Sequence, residues 1–187
     1  SRLSRGLGDV YKRQRPHPSI ALGSFEVNLL ELTAAYAHFA NGGFQTFPYI
    51  IDTAITKSGT ILYERIAPAP PRVIGPREVA AMNDMLVATI KSGTGRRAAI
   101  EGRTLAGKTG TSQNWRDAWF IGYSGALVAG VWVGNDNGGP MNKVTGSGLP
   151  AQIWRAFMAN QENQAALPGS ENGAAGGGGL FNWLFGD

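Results

Sequence analysis

The sequence contains no cysteine and only two histidines, His17 and His38, among its 187 residues. The absence of cysteine excludes disulfide bonds, thiolate metal sites and a cysteine nucleophile. With two histidines, neither a Ser-His-Asp triad nor a multi-histidine metal site is expected, and no cofactor is predicted. No apolar run reaches about 18 residues, the length that a membrane-spanning helix needs, so the sequence predicts no such helix.

The basic character of the chain is confined to its first residues. The formal net charge is +4, and the pI is near 9.6. Residues 1–15 carry five basic groups against Asp9, whereas residues 16–187 carry 12 basic and 12 acidic groups. A basic surface on the folded part, and with it a nucleic-acid partner, is therefore not predicted.

Composition divides the chain into three parts. Residues 1–15 resemble translated sequencing-adapter read-through and are interpreted as a foreign segment, with a native basic loop as the alternative. Residues 16–165 have the pattern of a folded domain, whereas 166–187 form a Gly-rich linker and an aromatic tail, "LFNWLFGD". That tail could bind a cell-wall synthesis partner or a membrane surface, and a frayed terminus is the alternative.

Hydrophobic periodicity and turn residues predict a mixed order of helices and strands. Asn28, followed three residues later by Glu31, is typical of a helix start, and Pro76 of another. The predicted elements are a helix ending at Gly42-Gly43, a hairpin turning at 57–59, a helix from 76 to 92, strands at 104–111, 118–124 and 127–134, and a helix at 150–160. On that last helix one packed side is expected to hold Leu149, Ile153, Trp154, Phe157 and Met158.

The strand around "GKTGT" carries the chemistry that stands out. Lys108 offers a compact cation, and Gly110 allows a ligand to lie close to the main chain. At a sheet edge, the hydroxyls of Thr109 and Thr111 could also contact a ligand, and the Thr111 N–H could bind a developing oxyanion. A bare Lys-Thr-Gly triplet also occurs in ordinary strands, so its context decides its meaning.

Five segments supply that context in order: "PSIALGSFEVNLLELTAAYAHFANGG", "KSGTGRRAA", "AGKTGTSQNWRDAWFIGYS", "VWVGND" and "GSGLPAQIWRAFM". Together they resemble the C-terminal part of the transpeptidase domain of class A (bifunctional) penicillin-binding proteins. The resemblance implies an α/β fold with α+β layers, here incomplete, in which an antiparallel sheet is flanked by helices. For the parent protein it implies D,D-transpeptidase activity, an upstream glycosyltransferase domain, a membrane anchor and a periplasmic location.

The resemblance also implies roles for the matching residues. Lys108 would polarise the serine of the family's second motif and complement the substrate carboxylate, and Gly110 would allow close approach. The hydroxyls of Thr109 and Thr111 would bind the terminal carboxylate of a D-Ala-D-Ala stem peptide or a β-lactam. The Thr111 N–H would form half of the oxyanion hole. Asp117 is interpreted as structural.

The nucleophile motif of that family, Ser-x-x-Lys, does not occur in the sequence. None of the ten serines has a lysine three residues later. Ser112 and Ser170 match the family's second motif, Ser-x-Asn, but neither is in the expected place. Ser112 directly follows Lys-Thr-Gly, which is the family's third motif, and Ser170 lies in the linker. The chain alone is therefore expected to be inactive and to expose apolar surface. A β-lactamase or D,D-carboxypeptidase of the same superfamily, and a degenerate binding module, remain alternatives.

Overall fold

The computed structural model describes residues 18, 23, 26–125 and 127–161, so the segments 1–15 and 166–187 lie outside the described residues. Apart from short 3₁₀ turns, three helices and five strands of the described residues follow one another in the order that the sequence predicts. The regular elements are α1 (Leu29–Ala40), β1 (Thr53–Ile55), β2 (Ile61–Glu64), α2 (Pro76–Lys91), β3 (Ala106–Thr111), β4 (Asp117–Ser124), β5 (Leu127–Gly134) and α3 (Leu149–Ala159).

Helix α1 begins and ends where the sequence predicts, because both ends have local signals. The Asn28 side chain accepts a hydrogen bond from the Glu31 N–H at 2.8 Å, which satisfies one of the unpaired donors of the first turn. After Ala40, Gly42 and Gly43 have φ values of 84° and 95°. A side chain at Gly43 would also collide with the Ile74 carbonyl, so glycine is required there.

The strands form two separate antiparallel sheets. Strands β1 and β2 make the predicted hairpin, and β3, β4 and β5 make a three-stranded sheet in that order. In the larger sheet, β3 and β4 pair with Thr111 opposite Ala118, and β4 and β5 turn at Gly125, whose φ is 55°. Helices α1 and α3 pack on β4 and β5, and α2 packs on β3. These α+β layers confirm the expected fold class.

The core of the larger sheet is built around one tryptophan of α3. Trp154 has no exposed surface, and its ring centroid lies 5.1 Å from that of Phe120 on β4. Its indole N–H is shared between the carbonyls of Ala129 at 3.1 Å and Gly122 at 3.3 Å. A side chain at Gly122 would approach the Trp154 ring to 2.9 Å. The indole therefore joins α3 to both β4 and β5.

The predicted packed side of α3 is only partly correct. Trp154 and Met158 are fully buried, whereas Leu149, Ile153 and Phe157 are 46%, 43% and 49% exposed. The three exposed residues are four positions apart and form a ridge about 100° around the helix from Trp154. Periodicity places all five on one broad side, but the sheet covers only the half that faces it.

Apolar residues are also exposed on the β1–β2 hairpin and the segments beside it. Ile50 and Ile66 are 98% and 93% exposed, and Phe47 and Leu62 are each 70% exposed. Pro48, Tyr49, Ile50, Ile51, Ala54 and Tyr63 line a shallow open cavity of about 520 Å³ there. Exposed apolar surface was expected for this chain, and the hairpin and α3 carry part of it.

We expect Tyr123→Phe to lower the free energy of unfolding by roughly 0.5–1.5 kcal/mol, the usual net contribution of one hydrogen bond. The Tyr123 hydroxyl is buried on β4 and donates to the Asn83 side-chain oxygen on α2. Burial raises the pKa of Tyr123, and the nearby Tyr36 raises it further, so the phenol stays protonated and remains a donor. Pulse proteolysis across a urea series measures the change. Tyr49→Phe, at a ring that is 54% exposed, is the control, and equal losses in the two variants would contradict the prediction.

Candidate active site

Strand β3, which carries Lys108 to Thr111, lies at the edge of the described three-stranded sheet. Its residues pair with β4 along its whole length, with Lys108 opposite Ile121 and Gly110 opposite Trp119. Among the described strands, none pairs with the other side of β3. The motif strand therefore presents a row of backbone groups to that side, which is the edge position expected for a strand that contacts a ligand.

Two hydrogen bonds determine which backbone groups face the open side. The Ser112 N–H donates to the Asp117 carbonyl at 2.9 Å, so the backbone of Ser112 faces β4. Because backbone groups alternate sides along an antiparallel strand, those of Thr111 and Thr109 face away from β4. The Lys108 ammonium donates to the Thr109 carbonyl at 2.9 Å, in keeping with that direction. The Thr111 N–H consequently points to the open side of the sheet.

The Lys108 side chain is exposed on this edge. Its ammonium contacts a backbone carbonyl, and no carboxylate of the described residues lies within ion-pair distance. An ammonium that is bound only to a neutral carbonyl is not neutralised by a carboxylate, so it remains available to an anion. The open side of β3 thus combines a cation, an outward N–H and two hydroxyl-bearing residues.

The two threonine hydroxyls have partners that the sequence reasoning did not identify. The Thr109 hydroxyl lies 2.7 Å from the Thr94 hydroxyl, on the turn that follows α2. The Thr111 hydroxyl oxygen accepts a hydrogen bond from the Gly146 N–H at 3.0 Å. Both partners lie in segments that contribute to the family resemblance, but the sequence reasoning assigned neither residue a role in the site. The Gly-Thr-Gly pattern around Thr94 was the available signal, but no spacing rule connects it to β3.

The segment before α3 lies directly against the motif strand. Gly146 is buried, and a side chain there would collide with the backbone oxygens of Gly110 and Trp119. Only a glycine allows this approach, and through it the Gly146 N–H reaches Thr111. The Thr145 and Ser147 hydroxyls on either side lie 3.0 Å from each other.

Ser112, the serine nearest to the motif, is held in a structural contact. Its hydroxyl donates to the Asp117 carboxylate at 2.9 Å and accepts from the Asp117 N–H at 2.8 Å. The second carboxylate oxygen of Asp117 accepts from the Trp132 indole at 3.0 Å. These contacts close the turn between β3 and β4, in agreement with the structural interpretation of Asp117. They leave Ser112 without the lysine that would act as its base.

Comparison with known proteins identifies the family. A sequence profile described as the penicillin-binding protein transpeptidase domain matches residues 9–159. The chain belongs to the penicillin-binding protein transpeptidase family. Penicillin-binding protein 1A of Aquifex aeolicus is 41% identical over 145 residues, which cover 77% of this chain and 20% of that protein. The chain therefore spans about a fifth of the length of this penicillin-binding relative.

Solved penicillin-binding proteins share the fold. PonA1 of Mycobacterium tuberculosis matches with a TM-score of 0.75 and 26% identity, covering 84% of this chain and 44% of that one. The same protein in complex with penicillin V matches with a TM-score of 0.73 and 27% identity, over 84% of this chain and 45% of that one. These matches confirm the recognition and the fold class that the ordered motifs predicted.

Neither a metal site nor a membrane-crossing helix appears in the part of the chain that the structure describes. Among residues 26–125 and 127–161, no group of three or more metal-ligating side chains comes together. Every helix in those ranges is too short or too polar to cross a bilayer.

Proposed function

We propose that the chain forms one wall of a peptidoglycan D,D-transpeptidase active site, completed by a serine from elsewhere in the parent protein. The observation that carries the proposal is the open side of β3, which presents the Lys108 cation and the outward Thr111 N–H, with the hydroxyl-bearing Thr109 between them along the strand. Membership of the penicillin-binding transpeptidase family supports a ligand with the shape of a D-Ala-D-Ala terminus or a β-lactam.

Each group in this wall has a task in the proposed reaction. The ammonium of Lys108 and the hydroxyls of Thr109 and Thr111 bind the terminal carboxylate of the stem peptide, since charge-assisted hydrogen bonds are the strongest available there. The Thr111 N–H donates to the carbonyl oxygen as it becomes an oxyanion. Gly110 lets the peptide lie against the strand.

The covalent step requires a nucleophile that this chain does not contain. In the proposed parent, a serine from a Ser-x-x-Lys motif attacks the penultimate D-Ala carbonyl, and its lysine accepts the hydroxyl proton. The terminal D-alanine leaves with a proton on its amine, and an acyl-enzyme remains. The amine of a second stem peptide then attacks the ester, which releases the serine and forms the cross-link.

The names of the relatives support one kind of parent protein. Their names, penicillin-binding protein 1A, favour a class A transpeptidase over a β-lactamase or a D,D-carboxypeptidase. We accordingly propose a periplasmic protein that is anchored in the inner membrane and also carries a glycosyltransferase domain. Its β-lactam sensitivity is supported by the penicillin V complex of a structural relative.

Labelling with a fluorescent penicillin tests this proposal in two arms. The full-length parent is expected to form an adduct that survives denaturation, and the 187-residue chain alone is expected to form none. The reason is that the wall described here binds the acyl donor but has no serine-lysine pair to attack it. Prior incubation with unlabelled benzylpenicillin should abolish labelling of the parent.

The outcomes separate a stable serine acyl-enzyme from a binding module and from a β-lactamase. A stable adduct on the chain alone would contradict the assignment of the nucleophile to another part of the parent. An unlabelled parent would contradict the transpeptidase proposal and indicate a non-catalytic binding module. An adduct that forms and is then hydrolysed during the incubation would indicate a β-lactamase.

A further inference from the structure

The roles implied for Lys108 to Thr111 do not account for the contact between Thr94 and Thr109. The two hydroxyl oxygens are 2.7 Å apart, a normal distance for an O–H to oxygen hydrogen bond. Thr94 lies on an exposed turn 15 residues before Thr109 along the chain. The packing of α2 against β3 brings the two residues together.

The turn that carries Thr94 is held firmly to the end of α2. The Gly93 N–H donates to the Ala88 carbonyl at 3.1 Å, and the Gly95 N–H donates to the Thr89 carbonyl at 2.9 Å. A side chain at Gly93 would come within 2.9 Å of the Thr89 backbone, and one at Gly95 within 3.2 Å. The two glycines therefore let the turn close tightly, and Thr94 between them extends toward β3.

The direction of the hydrogen bond follows from what Thr109 must do. A threonine hydroxyl has one proton to donate and can also accept. If Thr109 gives its proton to a carboxylate, it can only accept from Thr94. Thr94 then donates to Thr109, and this fixes the Thr109 oxygen with its own proton free to turn toward the open side of β3.

We propose that Thr94 is a positioning residue that donates to the Thr109 hydroxyl and so orients it toward the carboxylate of the acyl donor. This role rests on the proposed function, in which the Thr109 hydroxyl binds the carboxylate of the acyl donor. Thr94 itself touches no substrate. Its effect on acylation passes through Thr109 and disappears when the Thr109 hydroxyl is removed.

A double-mutant cycle in the full-length parent tests this. The quantity measured is the second-order rate constant for acylation by fluorescent penicillin. We expect Thr94→Val to lower it by roughly threefold to tenfold, the range for the loss of one neutral hydrogen bond. In a Thr109→Val background, the same change should alter the rate by less than about twofold, because the acceptor is already gone.

Three further measurements separate positioning from a structural role. Thr94→Ser keeps the hydroxyl and should restore the rate to within about twofold of the unmodified protein. Thr56→Val, which removes a threonine from another hydroxyl pair in the separate β1–β2 hairpin, should leave the rate unchanged. The thermal midpoint of each variant shows whether it is folded, and Thr94→Ala replaces the valine variant in the cycle if that variant is not.

The results distinguish failure of this proposal from failure of the proposed function. If the unmodified parent is not labelled, the proposed function is overturned, and the role of Thr94 with it. If the parent is labelled but Thr94→Val reacts at the same rate, or loses the same factor with and without Thr109, only the role of Thr94 is overturned. A serine variant as slow as the valine variant would overturn it as well.

Discussion

Replacing Lys108 with alanine in the full-length parent is expected to lower the second-order rate constant for penicillin acylation by roughly 10- to 150-fold, the range for the loss of a hydrogen bond to a charged group. The Lys108 ammonium lies on the open side of β3, where it donates to the Thr109 carbonyl. Its loss removes the positive field that attracts the ligand carboxylate. The folded chain loses little, because no ion pair of the described residues depends on it.

A matched lysine on the surface provides the control for this experiment. Lys57 is exposed at the turn of the β1–β2 hairpin, in the sheet that does not include β3. Lys57→Ala should acylate at the rate of the unmodified protein and unfold at the same temperature. Lys108→Arg keeps the charge but exchanges a compact ammonium for a planar fork, so it should recover only part of the rate. Equal rates for Lys108→Ala and Lys57→Ala would contradict the role assigned to Lys108.

Trp154→Ala is expected to lower the free energy of unfolding of the transpeptidase domain by roughly 3–5 kcal/mol, as is usual for a large core aromatic. Trp154 is fully buried and packs on Phe120, and its N–H is shared between carbonyls of β4 and β5. Alanine would leave a cavity between α3 and the sheet and would remove the donor from both carbonyls. Pulse proteolysis in urea measures the loss.

Trp115, in the turn between β3 and β4, is the matched control. It is 40% exposed, and its backbone already has a positive φ of 52°, which alanine would share. Trp115→Ala should therefore cost much less than Trp154→Ala. A loss of similar size in both variants would show that burial of Trp154 does not hold α3 to the sheet.

Elements with strong local signals were predictable to within a few residues. The cap at Asn28, the proline at Pro76 and the glycine turn at Gly125 each act on their immediate neighbours, so the sequence contains all the information needed. The side of α3 that packs was not predictable in the same way. Five apolar residues lie on one broad side, and only the position of the sheet decides that Leu149, Ile153 and Phe157 remain exposed.

The candidate site, too, was predictable only where it depends on neighbouring residues. The chemistry of the motif could be predicted from consecutive residues, because Lys108 to Thr111 form one strand. Side chains and backbone groups alternate in direction along any strand, so no distant contact is needed to place them. The hydroxyl partners in the site could not be predicted in this way, because Thr94 and Gly146 lie 15 and 35 residues from the threonines that they contact. Such contacts depend on how α2 and the segment before α3 pack on β3.

The sequence by itself determined the family, the order of helices and strands, the motif strand and the absence of a Ser-x-x-Lys nucleophile from this chain. These properties depend on residue identity and short spacing, which no packing can alter. The tertiary structure decided that the motif strand lies at an edge of the described sheet, that the Thr111 N–H points outward and that Thr94 meets Thr109. These depend on contacts between distant segments, which exist only once the apolar faces of α1, α2 and α3 have packed on the sheet.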